Sequence, residues 1–189
     1  MTEHSMWDRS AVIGLAKASC TFCHGAGMRP SLRLGDLPCN CVFRAIFRIC
    51  YRRYRECDAT AAHTIGTKLE RGAGPSGYRL YSRRQQEYAA DFALVGRRVL
   101  SSTDYDLFHL HYLLEADWRV CCHDLHLGRG AFFHRAYEIA ERLGRAFAEL
   151  RPYPLYPVAV YFEGVAQSRR AGPPPVALRW NVREVVPHR

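Results

Sequence analysis

Apolar residues recur at intervals of three or four along most of this chain, which is the spacing of one face of an α-helix. Residues 42–57 carry one such stripe, formed by Val42, Ile46, Ile49 and Arg53. Further arginines fall largely on a second stripe of the same segment, namely Arg44, Arg48, Arg52 and Arg55. The two stripes predict an amphipathic helix with one apolar face and one basic face.

A glycine-rich stretch separates this helix from the next one. Four glycines and a proline lie between Thr60 and Gly77, which predicts a linker. Ser82 follows the linker, and serine is a favoured N-cap residue, so a second helix is predicted from Ser82 to about Leu100. The apolar face of this helix is formed by Tyr88, Phe92, Val95 and Val99.

Three shorter helical patterns follow, between residues 104 and 150. Asp104 is a candidate N-cap for the first, and Asp117 for the second, which covers 118–125. The third begins near Arg129 and ends at Leu150. The first presents Leu107, Leu110, His111 and Leu114. The third presents Phe132, Ala136, Ile139 and Leu143. A short turn before the last helix makes this a helix-turn-helix pattern.

Four of the eight cysteines form two close pairs, Cys20-x-x-Cys23 and Cys39-x-Cys41. Each pair fits one tight turn, so four thiolates can surround one zinc ion at about 2.3 Å. A structural zinc site is predicted, since four cysteines leave no open position for catalysis. Alternative ligands are Cys50, Cys57, His24 and His63, and buried thiols without a metal are the competing interpretation.

The ends of the chain bear on its location in the cell. Residues 1–17 contain Glu3 and Asp8 and no long apolar run, so no secretory signal is expected. The longest charge-free apolar stretch, 152–162, contains three prolines and is too short to cross a bilayer. No membrane contact is expected. The predicted location is the cytoplasm of a bacterial or phage-infected cell, where close cysteines more often bind metals than form disulfides.

The formal net charge is +9, and 25 of the 27 basic residues are arginine. This balance favours polyanionic partners, because the planar guanidinium fork pairs with phosphate or guanine in a bidentate way. A GC-rich genome is the other explanation for the arginine excess. The basic helix interleaves its arginines with Phe43, Phe47, Tyr51 and Tyr54.

Two roles are open for this basic helix. The aromatic rings suit stacking on bases. The arginines suit contact with the nucleic-acid backbone, through Arg44, Arg48, Arg52, Arg53 and Arg55. In the alternative interpretation the arginines form an ordinary solvated face, and the aromatic residues pack on the metal module.

Two segments resemble known families. The stretch CTFCHGAG, residues 20–27, resembles the Cys-x-x-Cys-x-Gly-x-Gly element of DnaJ-type zinc modules and a similar stretch in lambda-type phage Q antiterminators. DnaJ modules carry four copies, whereas this chain has one and a second pair of the form Cys-x-Cys. Residues 107–144 resemble, without a gap, the fourth region of bacterial sigma factors and related response-regulator modules.

The second resemblance implies particular roles along 107–144. That family has a small residue where two helices cross, a turn residue with positive φ four positions later, and an apolar residue six beyond. These positions hold Cys122, His126 and Phe132. The resemblance also implies that the helix starting at Arg129 reads DNA. Its candidate DNA-binding residues are Arg129, Gly130, Phe133, His134 and Tyr137. Phe133 alternatively marks a contact with another protein.

These observations predict a mostly α-helical protein with a zinc-stapled N-terminal module and a C-terminal helix-turn-helix bundle. The predicted limits are 1–59 for the zinc module with its basic helix, 60–81 for the linker, 82–163 for the helical domain, and 164–189 for a flexible tail containing proline and arginine.

The predicted function is sequence-specific DNA binding in transcription regulation, of bacterial or phage type. By resemblance, this is a Q-like antiterminator or late-gene regulator acting with RNA polymerase, with nascent RNA as a further partner. The alternative is an RNA-binding or protein-scaffolding zinc module whose C-terminal helices only pack. No HExxH, P-loop, GxSxG or paired-carboxylate motif occurs, so no catalytic residues and no enzyme activity are predicted.

Overall fold

The computed structural model describes residues 7, 9–31, 35–68, 76–150 and 154–162, with the backbone alone for 11, 60–68 and 76–82. The described chain is mostly helical, as predicted. Its elements are α1 (Arg9–Ile13), β1 (Met28–Ser31), β2 (Gly35–Pro38), α2 (Asn40–Lys68), α3 (Ser76–Val99), α4 (Ser102–Phe108), a π-helical turn (His109–Leu113), α5 (Trp118–Asp124) and α6 (Arg129–Glu149).

The two strands form an antiparallel hairpin that precedes α2. Met28 pairs with Pro38 and Ser31 with Gly35, so the two strands run in opposite directions. Gly27 leads into the hairpin with φ +76°, and a Cβ there would lie 2.9 Å from the Val12 carbonyl oxygen. A side chain at this position would therefore push the hairpin away from α1.

The helices share one core, in which α2 packs across α6 and α3. Rings from all three helices meet, since Phe92 lies 4.7 Å from Tyr54 and 4.9 Å from Phe147 between centroids. The backbones of α2 and α6 approach closely, because a Cβ on Gly144 would overlap the Phe43 carbonyl oxygen. Leu155, in the segment after α6, is fully buried against this core.

The limits of α2 and α3 differ from those predicted. Helix α2 continues past residue 57 to Lys68, and α3 begins at Ser76. Ser82 is therefore an interior residue and not the N-cap. Helix thus occupies part of the predicted linker, since glycines inside a helix, such as Gly66 and Gly77, each cost only about 1 kcal/mol relative to alanine.

Helix ends do not define domain boundaries, so the predicted domain limits stay a prediction. The packing of the described residues nevertheless joins α2 to helices on the other side of the predicted linker. The predicted tail, 164–189, lies outside the described residues. No helix in the described part of the chain is both long enough and apolar enough to cross a membrane.

Burial confirms most of the predicted apolar faces and corrects two positions. Tyr88, Phe92 and Val95 are buried, but Val99 is 40% exposed at the end of α3. There the contact is made instead by Gly96, which lies against the Phe108 ring. Leu114 was predicted to face inward and is 61% exposed. The π-helical turn just before it adds a residue per turn and so rotates Leu114 outward.

Of the predicted starts of the last three helices, two are confirmed and one is wrong. Asp117 caps α5, its Oδ1 accepting from the Arg119 amide at 2.9 Å, as predicted. Asp104 does not cap α4, because Ser101 is the N-cap and accepts from the Asp104 amide at 3.3 Å. Helix α6 begins at Arg129 as predicted, and its four predicted core residues are all buried.

Candidate functional site

The four predicted metal ligands, Cys20, Cys23, Cys39 and Cys41, lie together and are all buried. Their sulfur atoms lie within 4.8 Å of one another, with 3.8 Å between Cys20 and Cys39 and 3.6 Å between Cys23 and Cys41. A tetrahedral ion with metal–sulfur bonds of about 2.3 Å requires sulfur–sulfur edges of about 3.8 Å. The four cysteines can therefore bind a metal ion.

Two tight turns carry these sulfur atoms. In the first turn the His24 amide donates to the Cys20 carbonyl at 2.9 Å, and the positive φ of His24 (47°) and Gly25 (85°) reverses the chain. The second is the start of α2, where the Val42 amide donates to the Cys39 carbonyl at 2.8 Å and Cys41 lies in the first helical turn. The hairpin joins the two turns and so brings residues distant in sequence to one point.

Local hydrogen bonds and burial act oppositely on the thiols. Backbone amides of Cys23 and Phe22 lower the pKa of Cys20 to about 6, because they donate to its sulfur. Burial raises the pKa of Cys39, and it raises the pKa of Cys41 to about 12. A bound cation would supply the positive charge that favours the thiolate form of all four cysteines.

None of the alternative ligands with a described side chain belongs to this cluster. The Cys50 thiol is buried in the helical core and points to the Leu155 carbonyl, with 3.8 Å between sulfur and oxygen. Cys57 is also buried and does not belong to the cluster. His24 is exposed at the first turn and is not part of the cluster either. The side chain of His63 lies outside the described residues.

Helices α5 and α6 are joined by a tight turn at the residue predicted for it. His126 has φ 52°, which confirms the predicted left-handed backbone. The Leu127 amide donates to the Cys122 carbonyl at 2.9 Å and so closes the end of α5. Cys122 is half-buried, and the adjacent Cys121 is fully buried. Phe132 is buried as predicted.

The start of α6 presents an exposed face made of the five predicted DNA-binding residues, Arg129, Gly130, Phe133, His134 and Tyr137. The Arg129 guanidinium lies over the Trp118 ring, 5.5 Å from its centroid, and 6.0 Å from that of Phe133. The Arg119 guanidinium also contacts Trp118, at 5.3 Å. Trp118 was not predicted to belong to this face, although it is an aromatic residue directly after the N-cap of α5.

Most aromatic side chains of the basic helix α2 pack inside the protein. Phe43, Phe47 and Tyr54 are buried, and Tyr51 is half-buried. These rings pack in the core with α3 and α6, and of the four only Tyr51 keeps part of its surface open. Phe43, Phe47 and Tyr54 are therefore not available for stacking on bases, and they pack on neighbouring helices where the alternative interpretation placed them on the metal module. Contact of the α2 arginines with a nucleic-acid backbone stays a prediction.

The five arginines of α2 also differ in their surroundings. Arg55 is paired with Glu115, with 2.9 Å between Nη2 and Oε2. Arg53 is paired with Glu56 at 2.9 Å and lies over the Phe162 ring. Arg44 is half-buried against Tyr137. Arg48 and Arg52 are exposed and make no ion pair with any described residue.

Comparisons with known proteins add no assignment to these two sites. No protein-family model, no curated protein and no solved structure matches the chain.

Proposed function

We propose that this protein is a sequence-specific, duplex-DNA-binding regulator of transcription, of bacterial or phage type. The observation that carries the proposal is the start of α6, where an arginine is held on the surface directly after the turn at His126. The first turn of α6 has no acidic residue to repel phosphate. In helix-turn-helix proteins it is this part of the second helix that contacts base edges in the major groove.

Arg129 is the residue proposed to read a base. A guanidinium can make two hydrogen bonds to guanine O6 and N7, which is the commonest specific contact between proteins and DNA. The ring contacts with Trp118 and Phe133 reduce the conformational freedom that Arg129 would lose on binding. Gly130, His134 and Tyr137 are proposed to lie along the same groove.

The two helix starts are proposed to position the protein on the DNA backbone. Gly128 caps α6 without a side-chain hydrogen bond, so amides of the first turn are available to phosphate oxygens. Arg119 lies in the first turn of α5, and Arg48 and Arg52 are exposed on α2. These contacts would add affinity without selecting a sequence.

We infer that the ion held by the four cysteines is zinc. A closed set of four thiolates at tetrahedral spacing suits Zn²⁺ and leaves no position for a reacting water molecule. The proposed role is structural, since the ion would join the two turns and fix the hairpin before α2. No catalytic role is proposed for any residue.

The more specific form of the proposal rests on the two resemblances. Residues 20–27 and 107–144 together support a Q-like antiterminator or late-gene regulator that acts with RNA polymerase. Nascent RNA is a further proposed partner, and the proposed place of action is the cytoplasm, where bacterial or phage DNA is transcribed. An RNA-binding or scaffolding zinc module is the second candidate, favoured by the exposed arginines of α2, Arg48 and Arg52.

One binding experiment separates the two candidates. The full chain selects from a library of random duplexes, and the dissociation constants of the selected duplex, a random duplex and a single strand are then compared. The DNA-binding proposal expects a consensus sequence bound at least about 10³-fold more tightly than random duplex. Chelation of the metal should leave that ratio largely intact. No consensus, or tighter binding of single strands together with loss on chelation, would favour the second candidate.

A further inference from the structure

An open groove of about 320 Å³ lies between α2 and the first half of α6. Its lining combines flat rings with two arginines, and the residues that matter here are Arg44, Arg48, Tyr51, His111, Phe133 and Tyr137. None of the described residues that line it is acidic. The groove is thus both aromatic and positively charged.

Two rings of the groove are available to a ligand. Phe133 is 38% exposed and Tyr137 is 59% exposed, and they lie one turn apart on α6. The wall behind them is held by contacts within the protein. The Tyr112 hydroxyl donates to the Ala136 carbonyl at 3.5 Å, and the Phe132 ring meets His111 edge-on at 5.0 Å. Phe133 and Tyr137 therefore lie on a surface whose residues are fixed by packing inside the protein.

Two arginines give the groove its charge. Arg44 and Arg48 are one turn apart on α2, and the Arg44 guanidinium lies 5.5 Å from the centre of the Tyr137 ring. Neither arginine makes an ion pair within the part of the chain that the structure describes. A ligand that suits this groove must carry both a flat face and a negative charge.

We propose that this groove binds an unpaired nucleotide of a single-stranded nucleic acid. The base stacks on Tyr137 and Phe133, and a neighbouring phosphate contacts Arg44 and Arg48. A nucleotide satisfies both features at once, whereas an acidic peptide matches the charge but offers few flat rings. This site goes beyond the reading of duplex DNA, because it binds an unpaired base, which an intact duplex does not offer. It shares Phe133 and Tyr137 with the face proposed to read the duplex.

The test compares two labelled single strands of equal length, one with bases and one entirely abasic, by fluorescence anisotropy with the full chain. Both strands carry the same phosphates, so charge alone gives them equal affinity. The proposal expects the strand with bases to bind about tenfold more tightly or better. Tyr137→Ala should bring this ratio close to one, while Tyr137→Phe should retain it.

Exposed Leu94, on α3 and outside the groove, provides the control, and Leu94→Ala should leave the ratio unchanged. Thermal melting checks that each variant is folded. A ratio near one in the unchanged protein overturns the proposal and reassigns the groove to a protein partner. A high ratio that Tyr137→Ala does not reduce also overturns it, because stacking then occurs elsewhere. Duplex selectivity is measured separately, so failure of the DNA-reading proposal leaves this ratio interpretable.

Discussion

The cysteine turns and the α5–α6 pair differ in the number of buried side chains that surround them. Besides the four cysteines, the buried side chains described within residues 20–41 are Met28 and Pro38. Helix α6, in contrast, contributes eight buried residues to the core that it shares with α2 and α3. In the proposed account the bound ion completes the interior of the first region, whereas the second completes its interior by packing.

Removing the metal is the largest change expected, and it should affect only the first region. Metal binding by such sites contributes about 10 kcal/mol or more to folding. Chelation, or Cys20→Ser, should unfold the hairpin and its turns while most of the helical circular dichroism persists. Elemental analysis should find one zinc ion per chain before chelation.

Cys122→Ser is the matched control, because this thiol lies outside the metal cluster. It should leave the metal content unchanged. Protein purified without chelator and found free of zinc would refute the proposed ion. Complete loss of helical signal on chelation would show that the two regions are one cooperative unit and would remove the contrast between them.

A cavity in the packed region should have the next largest effect. Phe132 is only 1% exposed, so Phe132→Ala should lower the free energy of unfolding by about 3–5 kcal/mol. Phe133 is its neighbour but is exposed, and Phe133→Ala should cost less than about 1 kcal/mol. Denaturant melts of the two variants measure both values. Equal losses would contradict the assignment of inner and outer faces on α6.

A single methyl group should disturb the crossing of α2 and α6. Gly144→Ala places a Cβ against the Phe43 carbonyl, and such overpacking costs about 1–3 kcal/mol. Gly130→Ala provides the comparison on the same helix, because nothing lies within 4 Å of its Cβ position. It should be neutral or stabilising by up to about 1 kcal/mol. Thermal melting that ranks the two variants the other way would argue against this crossing.

The features that depend on local spacing were predictable from the sequence. The convergence of the four cysteines follows from two short pairs, and the start of α6 and its buried face follow from helical periodicity. The positive φ of His126 was expected from a resemblance to sigma factors, and it agrees with the tolerance of histidine for this backbone. In each case the information lies in the spacing of residues along one segment of the chain.

The features that depend on tertiary packing were not predictable in this way. Phe43 and Phe47 looked available for stacking because the helix is basic, yet its apolar side is wide enough to bury them. The outward turn of Leu114 depends on a π-helical turn that has no simple pattern in sequence. The contact of Trp118 with Arg129 joins two helices and needed the fold to be known.

Substitutions of the α2 arginines should have the smallest effects on DNA binding. Arginines without an ion pair should show a larger effect than the one that is paired. Arg48→Gln and Arg52→Gln should each reduce the salt dependence of duplex binding by about one unit of log–log slope, because each loses one phosphate contact. Arg55→Gln is the control, since Arg55 is paired with Glu115, and it should change the slope little. Binding titrations over a range of salt concentrations give the slopes. Unchanged slopes for Arg48 and Arg52 would make this an ordinary solvated face.

The most direct test of the central claim is the affinity of Arg129→Ala for the selected duplex and for random duplex. Loss of a base-reading arginine should weaken binding to the selected duplex by roughly 1–3 kcal/mol and binding to random duplex by much less. The ratio of the two affinities should therefore fall. Thermal melting should be unchanged, because Arg129 is exposed. A folded variant that retains the full ratio would contradict the claim that α6 reads DNA, and the helical pair would then be assigned to contact with another protein.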